Sequence, residues 1–312
     1  MHNKEKAEYN NFLVDMLAET QECVNIGKKD SVMITAPVNK IIPFSSVDGP
    51  GNRTAVFFQG CNWDCCYCHN PETRNMCTGC MACVQVCPVG ALQNENGKVH
   101  FFPERCVGCD TCIKTCHFGS SPRICNLTPE ETFEQIKKQI PFISGVTVSG
   151  GECSLYCEFV ESLFKLCKEA GLNTMMDSNG STPFAGKDDL LAVTDGVMLD
   201  IKAFGEEDHL KVTAMPNKNT LENAVFLAKM GKLFEIRTVI VPGLFDIENT
   251  IIKAGELLRP YQSIHPVRYK LISYRPFGVR EEYRTYQSPS KEYMEQLEEL
   301  AYKSGFDDVV TT

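Results

Sequence analysis

The sequence has a single tryptophan, no uninterrupted apolar run longer than five residues and no surplus of positive charge. Each absence excludes something. The five-residue runs, Cys80–Val84 and Ala224–Ala228, fall far short of the ~18 apolar residues a membrane-spanning helix needs. Lys plus Arg number 31 against 40 Asp plus Glu, a formal charge of −9, so a nonspecific grip on nucleic acid phosphates is not expected. The opening residues, Met1-His2-Asn3-Lys4-Glu5-Lys6, lead into no apolar stretch of the kind that directs export. A cytoplasmic, reducing location is therefore the expectation, and a framework of structural disulfides is not. There is also no low-complexity tract. What the chain has in abundance is cysteine, 17 in 312 residues. In a reducing compartment, thiols in that number point to metal.

Apolar residues make up 43% of the chain, enough for a sizeable core. The length suggests two domains, or one large domain with an insertion, at roughly 150 residues per domain. Within residues 5–22, Tyr9, Phe12, Leu13, Met16 and Leu17 follow the i, i+3, i+4, i+7, i+8 spacing of an amphipathic helix, so residues 1–37 are expected to form a helical extension. From residue 54 the pattern becomes strand, polar turn, helix. Strands are expected at Thr54–Gln59, Gly145–Ser149, Leu172–Asp177, Gly196–Ile201, Leu233–Val241 and Val267–Ser273. Helices are expected at Pro129–Gln139, Phe159–Ala170, Asp188–Val193, Leu221–Met230, Glu248–Leu258 and Lys291–Lys303. Thr128-Pro129-Glu130-Glu131 is a capping box with Pro at the first helical position.

Six strands alternating with helices imply an α/β fold built on a parallel sheet or partial barrel. One connection breaks the rhythm. About 85 residues separate the first two strands, where a crossover needs roughly 20–30. The excess reads as a small domain inserted at residues 74–125, interrupting a body formed by residues 38–73 and 126–312.

Two dense cysteine runs fill the insert: Cys77-x2-Cys80-x2-Cys83-x3-Cys87-Pro88, then Cys106-x2-Cys109-x2-Cys112-x3-Cys116. This is the bacterial two-cluster ferredoxin spacing, in which the fourth Cys of each run ligates the other cluster. One [4Fe–4S] cluster would take Cys77, Cys80, Cys83 and Cys116, the other Cys106, Cys109, Cys112 and Cys87. Zinc sites favour paired C-x2-C arms over triplets, which argues against zinc. The second run has His117 where the first has Pro88, a departure that leaves the ligands untouched. Four thiolates per cluster give each of its four irons a protein ligand, so both clusters are closed and can carry electrons but offer no open iron.

A third constellation differs in kind. Cys61-Asn62-Trp63-Asp64-Cys65-Cys66-Tyr67-Cys68 gives C-x3-C-x2-C, with an aromatic residue before the last ligand, in the loop leaving the first strand. That is the end where α/β barrels place their active sites. Three thiolates on a cubane leave one iron open to a bidentate ligand. Cys66 lies outside the spacing and reads as a bystander.

With its aromatic residue, the C-x3-C-x2-C motif resembles the radical S-adenosylmethionine superfamily. The likeness extends through Phe44-Ser45-Ser46-Val47-Asp48-Gly49-Pro50-Gly51-Asn52-Arg53, Phe57-Phe58-Gln59-Gly60-Cys61 and Cys68-His69-Asn70-Pro71 to Thr147-Val148-Ser149-Gly150-Gly151-Glu152 and Asp177-Ser178-Asn179-Gly180. It continues in Asp195-Gly196-Val197-Met198-Leu199-Asp200-Ile201-Lys202 and Ile236-Arg237-Thr238-Val239-Ile240-Val241-Pro242-Gly243. Together these segments resemble the glycyl radical enzyme activating enzymes, of the pyruvate formate-lyase activase type, and among them the YjjW-type subgroup that carries a two-cluster insert.

The resemblance implies a partial (β/α)6 TIM-like radical SAM barrel with an inserted two-[4Fe-4S] ferredoxin-like domain. It assigns the open cluster to Cys61, Cys65 and Cys68, and that cluster to the amino and carboxylate groups of S-adenosylmethionine. Tyr67, Cys68 and His69 would lie near the adenine, Gly150, Gly151 and Glu152 near the ammonium group, and Asp200, Ile201 and Lys202 near the methionyl carboxylate. Arg237, in a strand otherwise rich in β-branched residues, should point into the barrel and need an anionic partner. Asp177, Ser178, Met198 and Asp200 match positions that hold a monovalent cation in the pyruvate formate-lyase activase. Related activases place a Tyr-His pair after the last strand; here the pair is Tyr274-Arg275, which puts Arg275 at the nucleoside position. Asp48, between glycines that leave room for another backbone, is the candidate for positioning a peptide.

The implied chemistry is reductive cleavage of S-adenosylmethionine and abstraction of a glycine α-hydrogen from a partner glycyl radical enzyme. A low-potential donor such as flavodoxin or ferredoxin would supply the electron. Two other readings share parts of the pattern. A peptide-modifying maturase of the sulfatase type would carry its extra clusters after the barrel rather than within it. A plain iron–sulfur electron carrier would need neither the open-site motif nor Gly150-Gly151-Glu152.

Overall fold

The computed structural model describes residues 34–312. The helix expected within residues 5–22 lies outside them, as does Cys23. The chain forms β1 (Ala36–Ser45) and β2 (Arg53–Phe58), then, within the insert, α1 (Ala82–Gln85), β3 (Leu92–Glu95), β4 (Lys98–Phe101) and α2 (Thr111–Thr115). It returns through β5 (Cys125–Leu127) to α3 (Pro129–Lys137), β6 (Gly145–Gly150), α4 (Cys157–Glu169), β7 (Asn173–Ser178), α5 (Asp188–Ala192) and β8 (Gly196–Asp200). Then follow α6 (Glu206–Thr213), α7 (Lys218–Lys229), β9 (Leu233–Ile240), α8 (Ile247–Leu258), β10 (Arg268–Ser273), α9 (Lys291–Lys303) and β11 (Val309–Thr311).

The large sheet runs β11-β10-β9-β8-β7-β6-β2-β1-β5. Every pairing from β2 to β11 is parallel, while β1 is antiparallel to both β2 and β5. The six strands expected from the sequence are β2 and β6 to β10, adjacent and in chain order. The sheet order has two ends, so the barrel is partial. Both faces of the capping box before α3 form: Thr128 Oγ1 accepts from Glu131 N at 3.1 Å, and Glu131 Oε2 accepts from Thr128 N at 2.9 Å.

Two expected boundaries shift. β1 starts at Ala36, inside the segment expected to be helical extension, and β5 starts at Cys125, the last residue assigned to the insert. β1 and the three-residue β5 extend the main sheet past β2, so the chain rejoins the body after the insert at that edge. Residues 35–312 form one compact unit. Within it the insert keeps its own hairpin, β3–β4, and a small apolar cluster in which Cys83, Leu92 and Cys112 are buried.

Strand alternation divides the parallel sheet into two faces. Val56, Phe58, Val146, Val148, Met176, Leu199, Ile236 and Leu271 join the helices in the main core. Their neighbours point to the inner face: Arg53, Thr147, Ser149, Asp177, Met198, Asp200, Glu235, Arg237 and Lys270. That inner face is polar and charged, which a purely structural barrel core would not be.

Candidate active site

The loop carrying Cys61, Cys65 and Cys68 leaves β2 at its C-terminal end and is tied down on every side. Gln59 is buried; its Nε2 donates to the carbonyls of Glu72 (2.8 Å) and Asn75 (2.6 Å), and its Oε1 accepts from Asn39 at 2.7 Å. Gly60 N and Cys61 N donate to Thr73 O and Arg74 O at 2.7 and 2.9 Å. Farther along, Asp64 N and Cys66 N donate to Thr213 O and Val212 O at the end of α6, both at 2.9 Å. Trp63 packs edge-on against His209 with ring centres 4.8 Å apart. Asp64 is clamped by Arg74 and by Arg280 (2.6 Å), and Arg280 also donates to Cys65 O at 3.2 Å. Arg280 lies 215 residues from Cys65, and no local pattern in the sequence announces its role.

Burial pushes the Cys61 thiol up to about 12, with the Glu152 carboxylate adding to the effect, and raises Cys65 and Cys68 as well. Three half-buried thiols on one loop, each raised by burial, are a donor set that fits iron, since a bound cation would favour their thiolate forms. Among the described residues no three His, Cys, Asp or Glu side chains are arranged for a single metal ion.

The Gly150-Gly151-Glu152 turn closes against the start of this loop. A Cβ on Gly151 would lie 2.0 Å from Gly60 O, and one on Gly150 2.2 Å from Phe58 N. The glycines therefore let two backbones meet, with Gly151 N donating to Phe58 O (2.9 Å) and Glu152 N to Gly60 O (2.8 Å). Glu152 is 1% exposed, and burial raises its carboxyl above the usual range. Its oxygens accept from Ser154 N (2.9 Å), Ser178 Oγ (2.7 Å) and Asn179 N (2.7 Å). Asn179 in turn points its Nδ2 at Cys61 Sγ, 3.8 Å away. Glu152 thus links the ends of β6 and β7 to the cysteine loop.

Across the mouth of the sheet, Lys202 pairs with Asp200 at 2.7 Å and lies 5.7 Å from the centre of the Tyr67 ring. Burial opposes the Lys202 charge, but Asp200 more than offsets it and the ammonium is held well above its usual range. Tyr67 is 2% exposed, and among the described residues its hydroxyl has no hydrogen-bond partner. A buried hydroxyl left over beside a cation is a polar group waiting for an occupant. His69 Nε2 and Arg275 O are 3.0 Å apart, which joins the loop to the segment after β10, while the Arg275 side chain stays exposed.

Arg237 does point inward, and it has two anionic partners: Asp177 at 3.0 Å and Glu235 at 2.6 Å. Its Nη2 also lies 2.7 Å from Met198 Sδ. The expected cation positions are engaged by protein groups in the structure. Asp177, Met198 and Asp200 share the inner face, while Ser178, next to Asp177, faces the other way. Ser178 turns to Glu152, Asp200 is neutralised by Lys202, and the Arg237 guanidinium fills the space between Asp177 and Met198. Asp48 precedes β2, so it does not belong to the C-terminal rim where the other motifs gather. Its loop instead folds across the inner face, with Thr147 Oγ1 donating to Asp48 O at 2.5 Å and Ser45 Oγ donating to its carboxylate.

In the insert, Cys77, Cys80, Cys83 and Cys116 line one small hollow, and Cys87, Cys106, Cys109 and Cys112 line another. Four sulfurs around each space match the donor set of a closed cubane. The first cavity also touches Ser120, whose hydroxyl is 3.5 Å from Gln59 Nε2, so it lies on the side nearer the Cys61 loop. Of the remaining described cysteines, Cys66, Cys153 and Cys167 are buried, and Cys125 and Cys157 are half-buried.

The profile of the radical SAM superfamily matches residues 55–254. The chain is 33% identical over 262 residues to the pyruvate formate-lyase-activating enzyme of Streptococcus mutans, covering 81% of this chain and 82% of that protein. It is 30% identical over 302 residues to a Haemophilus influenzae protein provisionally named a glycyl-radical enzyme activating enzyme, covering 89% and 97%. Among solved structures, Streptococcus suis SuiB bound to its precursor peptide SuiA shares the fold, with a TM-score of 0.54 at 12% identity, over 81% of this chain and 47% of SuiB.

Proposed function

The chain belongs to the radical S-adenosylmethionine superfamily, as an enzyme of the glycyl radical enzyme activating class, and from that premise we propose that its substrate is the glycine-bearing segment of a partner glycyl radical enzyme. The observation that carries this reading is the half-buried Cys61/Cys65/Cys68 loop, set at the C-terminal end of a sheet whose inner face is polar and charged. Cys61, Cys65 and Cys68 would hold a [4Fe–4S] cluster, which would supply the electron for reductive cleavage of S-adenosylmethionine, the source of the radical that takes the glycine α-hydrogen.

The protein's own groups bind and orient. Lys202 offers its ammonium to the methionyl carboxylate, with Asp200 setting its position. Tyr67 and His69 line the nucleoside side, where the Tyr67 hydroxyl has no partner among the described residues. Glu152 acts on this account mainly through Ser178 and Asn179, holding the turn against Cys61, and the Gly150-Gly151-Glu152 turn lies on the side of the ligand's ammonium group. Asp48 and its glycines face the incoming backbone. Residues 74–125 form the ferredoxin-like insert, with Cys77, Cys80, Cys83 and Cys116 on one cluster and Cys106, Cys109, Cys112 and Cys87 on the other. A soluble low-potential flavodoxin or ferredoxin is the electron donor, and the reaction takes place in the cytoplasm.

Anaerobic reconstitution tests the reading. Three cubanes give about twelve irons per chain, and reduction in the presence of S-adenosylmethionine should release 5′-deoxyadenosine. Zinc in place of iron, or intact S-adenosylmethionine under reduction, would sink it. Cys65→Ala should abolish cleavage while about eight irons remain.

A further inference from the structure

Arg280 meets the cysteine loop from near the far end of the chain. Its Nη2 lies 2.6 Å from Asp64 Oδ1 and donates to Cys65 O at 3.2 Å, so one nitrogen serves both a carboxylate and the backbone of a predicted cluster ligand. The connection between β10 and α9 that carries it is braced within itself and against the loop. The Tyr274 hydroxyl donates to Tyr283 O at 2.9 Å, and Arg284 Nε donates to Val279 O at 2.8 Å. Arg275 O lies 3.0 Å from His69 Nε2, and a Cβ on Gly278 would come 3.0 Å from His69 O. The Arg280 side chain is 16% exposed, with its guanidinium carbon 4.8 Å from the centre of the Tyr283 ring. A positive charge is thus fixed beside Cys65 rather than left to swing in solvent.

The charges around that point do not cancel it on the side of the loop. Arg74 and Arg280 share the single carboxylate of Asp64. Glu282 is the second acid near Arg280, but it lies 3.7 Å from the other nitrogen, Nη1, and its side chain is 59% exposed, where water screens it. Lys202, whose charge also acts on the three sulfurs, is matched by Asp200 at 2.7 Å. The charge of Arg280 reaches the Cys68 sulfur, where it favours the thiolate. A cubane that accepts one electron gains one negative charge. A cation held near its ligands therefore stabilises the reduced form more than the oxidised one, and the potentials of such clusters follow the charge around them.

We propose that Arg280 is a positioning residue that sets the reduction potential of the Cys61/Cys65/Cys68 cluster, its fixed charge making that cluster easier to reduce. The proposal rests on the proposed function only in needing an open cluster at these three cysteines. Its reach is the electron-accepting step, not the binding of S-adenosylmethionine or of a polypeptide.

The test is a redox titration of the reconstituted holoenzyme, followed by electron paramagnetic resonance. The open cluster is recognised by the change its signal shows on adding S-adenosylmethionine, and the two insert clusters, outside the contacts of Arg280, are the internal reference. Arg280→Gln keeps a hydrogen-bond donor and removes the charge. It should lower the equilibrium constant for reducing the open cluster about tenfold, a shift of about 59 mV to lower potential. Arg280→Lys should stay near wild type. Asp64→Asn, which removes the carboxylate between the two arginines, should move the potential the opposite way. All three variants should hold about twelve irons, with the insert clusters unshifted. A clamp that acts only by holding the loop would make Arg280→Gln and Arg280→Lys alike, and would move Arg280→Gln and Asp64→Asn in the same direction. Either pattern overturns the proposal, as does an unshifted potential in Arg280→Gln or loss of the open cluster from all three variants. Absence from the wild type of any cluster that responds to S-adenosylmethionine would instead strike the assignment of that cluster to Cys61, Cys65 and Cys68.

Discussion

Gly151→Ala probes how the site is assembled. The added Cβ would lie 2.0 Å from Gly60 O, 2.5 Å from Gly60 C and 3.0 Å from Thr73 O, all of it backbone with no flexible end to swing away. Contacts under 3.0 Å do not persist, so the end of β6 and the residue before Cys61 must part by about 1 Å, an overpacking cost of about 1–3 kcal/mol. The separation also stretches the bonds from Gly151 N to Phe58 O and from Glu152 N to Gly60 O, at 2.9 and 2.8 Å. Cys61 is the next residue, and a misplacement of about 1 Å at a reacting centre costs on the order of 10²-fold in rate. The variant should therefore melt lower, hold fewer irons and cleave S-adenosylmethionine on the order of 10²-fold more slowly. Gly171→Ala is the control. Gly171 has φ +75° with nothing within 4 Å of its missing Cβ, so alanine there costs about 1–2 kcal/mol of backbone strain and leaves the site alone. Wild-type iron and rate in Gly151→Ala, or the same loss in Gly171→Ala, would refute the reasoning.

Two further outcomes follow from burial and charge. In iron-free protein at mildly alkaline pH, Cys109 should be alkylated first, since the Thr111 hydroxyl and backbone donors hold its thiol below the usual range. Cys61, pushed up to about 12, carries on the order of 10³ less thiolate than an ordinary thiol and should react far later than Cys109, as peptide mass spectrometry would show. Far from the site, Asp195 accepts from Lys168 (2.7 Å) and Thr174 N (2.8 Å); although burial opposes it, these partners hold its carboxyl below the ordinary range. A depressed carboxylate contributes stability above its unfolded value of about 3.8, lost as pH falls through the folded one. Asp195→Asn should then cost about 1–2 kcal/mol in denaturant unfolding at neutral pH and little below that window.

The parallel body was readable because each of its strands is a short apolar run bounded by turns, and the capping box before α3 is a local rule locally obeyed. The cysteine spacing likewise named the two sets of four that the structure gathers around the insert cavities. β1 was not readable. Pro37 and Pro43 interrupt it, and two register shifts against β2 break its alternation, so its pattern has no single period. α6 opens with Glu206, Glu207 and Asp208 and buries only His209, Val212 and Thr213, too little apolar periodicity to detect. At the site, the Gly150-Gly151-Glu152 motif was legible but the burial of Glu152 was not, because its partners Ser178 and Asn179 lie 26 and 27 residues away. The need of Arg237 for an anion followed from burying a charge; Glu235 lies two residues earlier on the same face of β9, whereas the pairing with Asp177 depends on β7 and β9 flanking β8 in the sheet.

The central claim, that this enzyme places a radical on the glycine of another polypeptide, is tested most directly by electron paramagnetic resonance. The reduced holoenzyme is mixed with S-adenosylmethionine and a glycyl radical enzyme from the same source, prepared with ordinary or α-deuterated glycine. The account predicts a carbon-centred radical on the partner chain whose doublet splitting collapses on deuteration, with deuterium recovered in 5′-deoxyadenosine. Formation of 5′-deoxyadenosine without deuterium, and with no radical on the polypeptide, would contradict it.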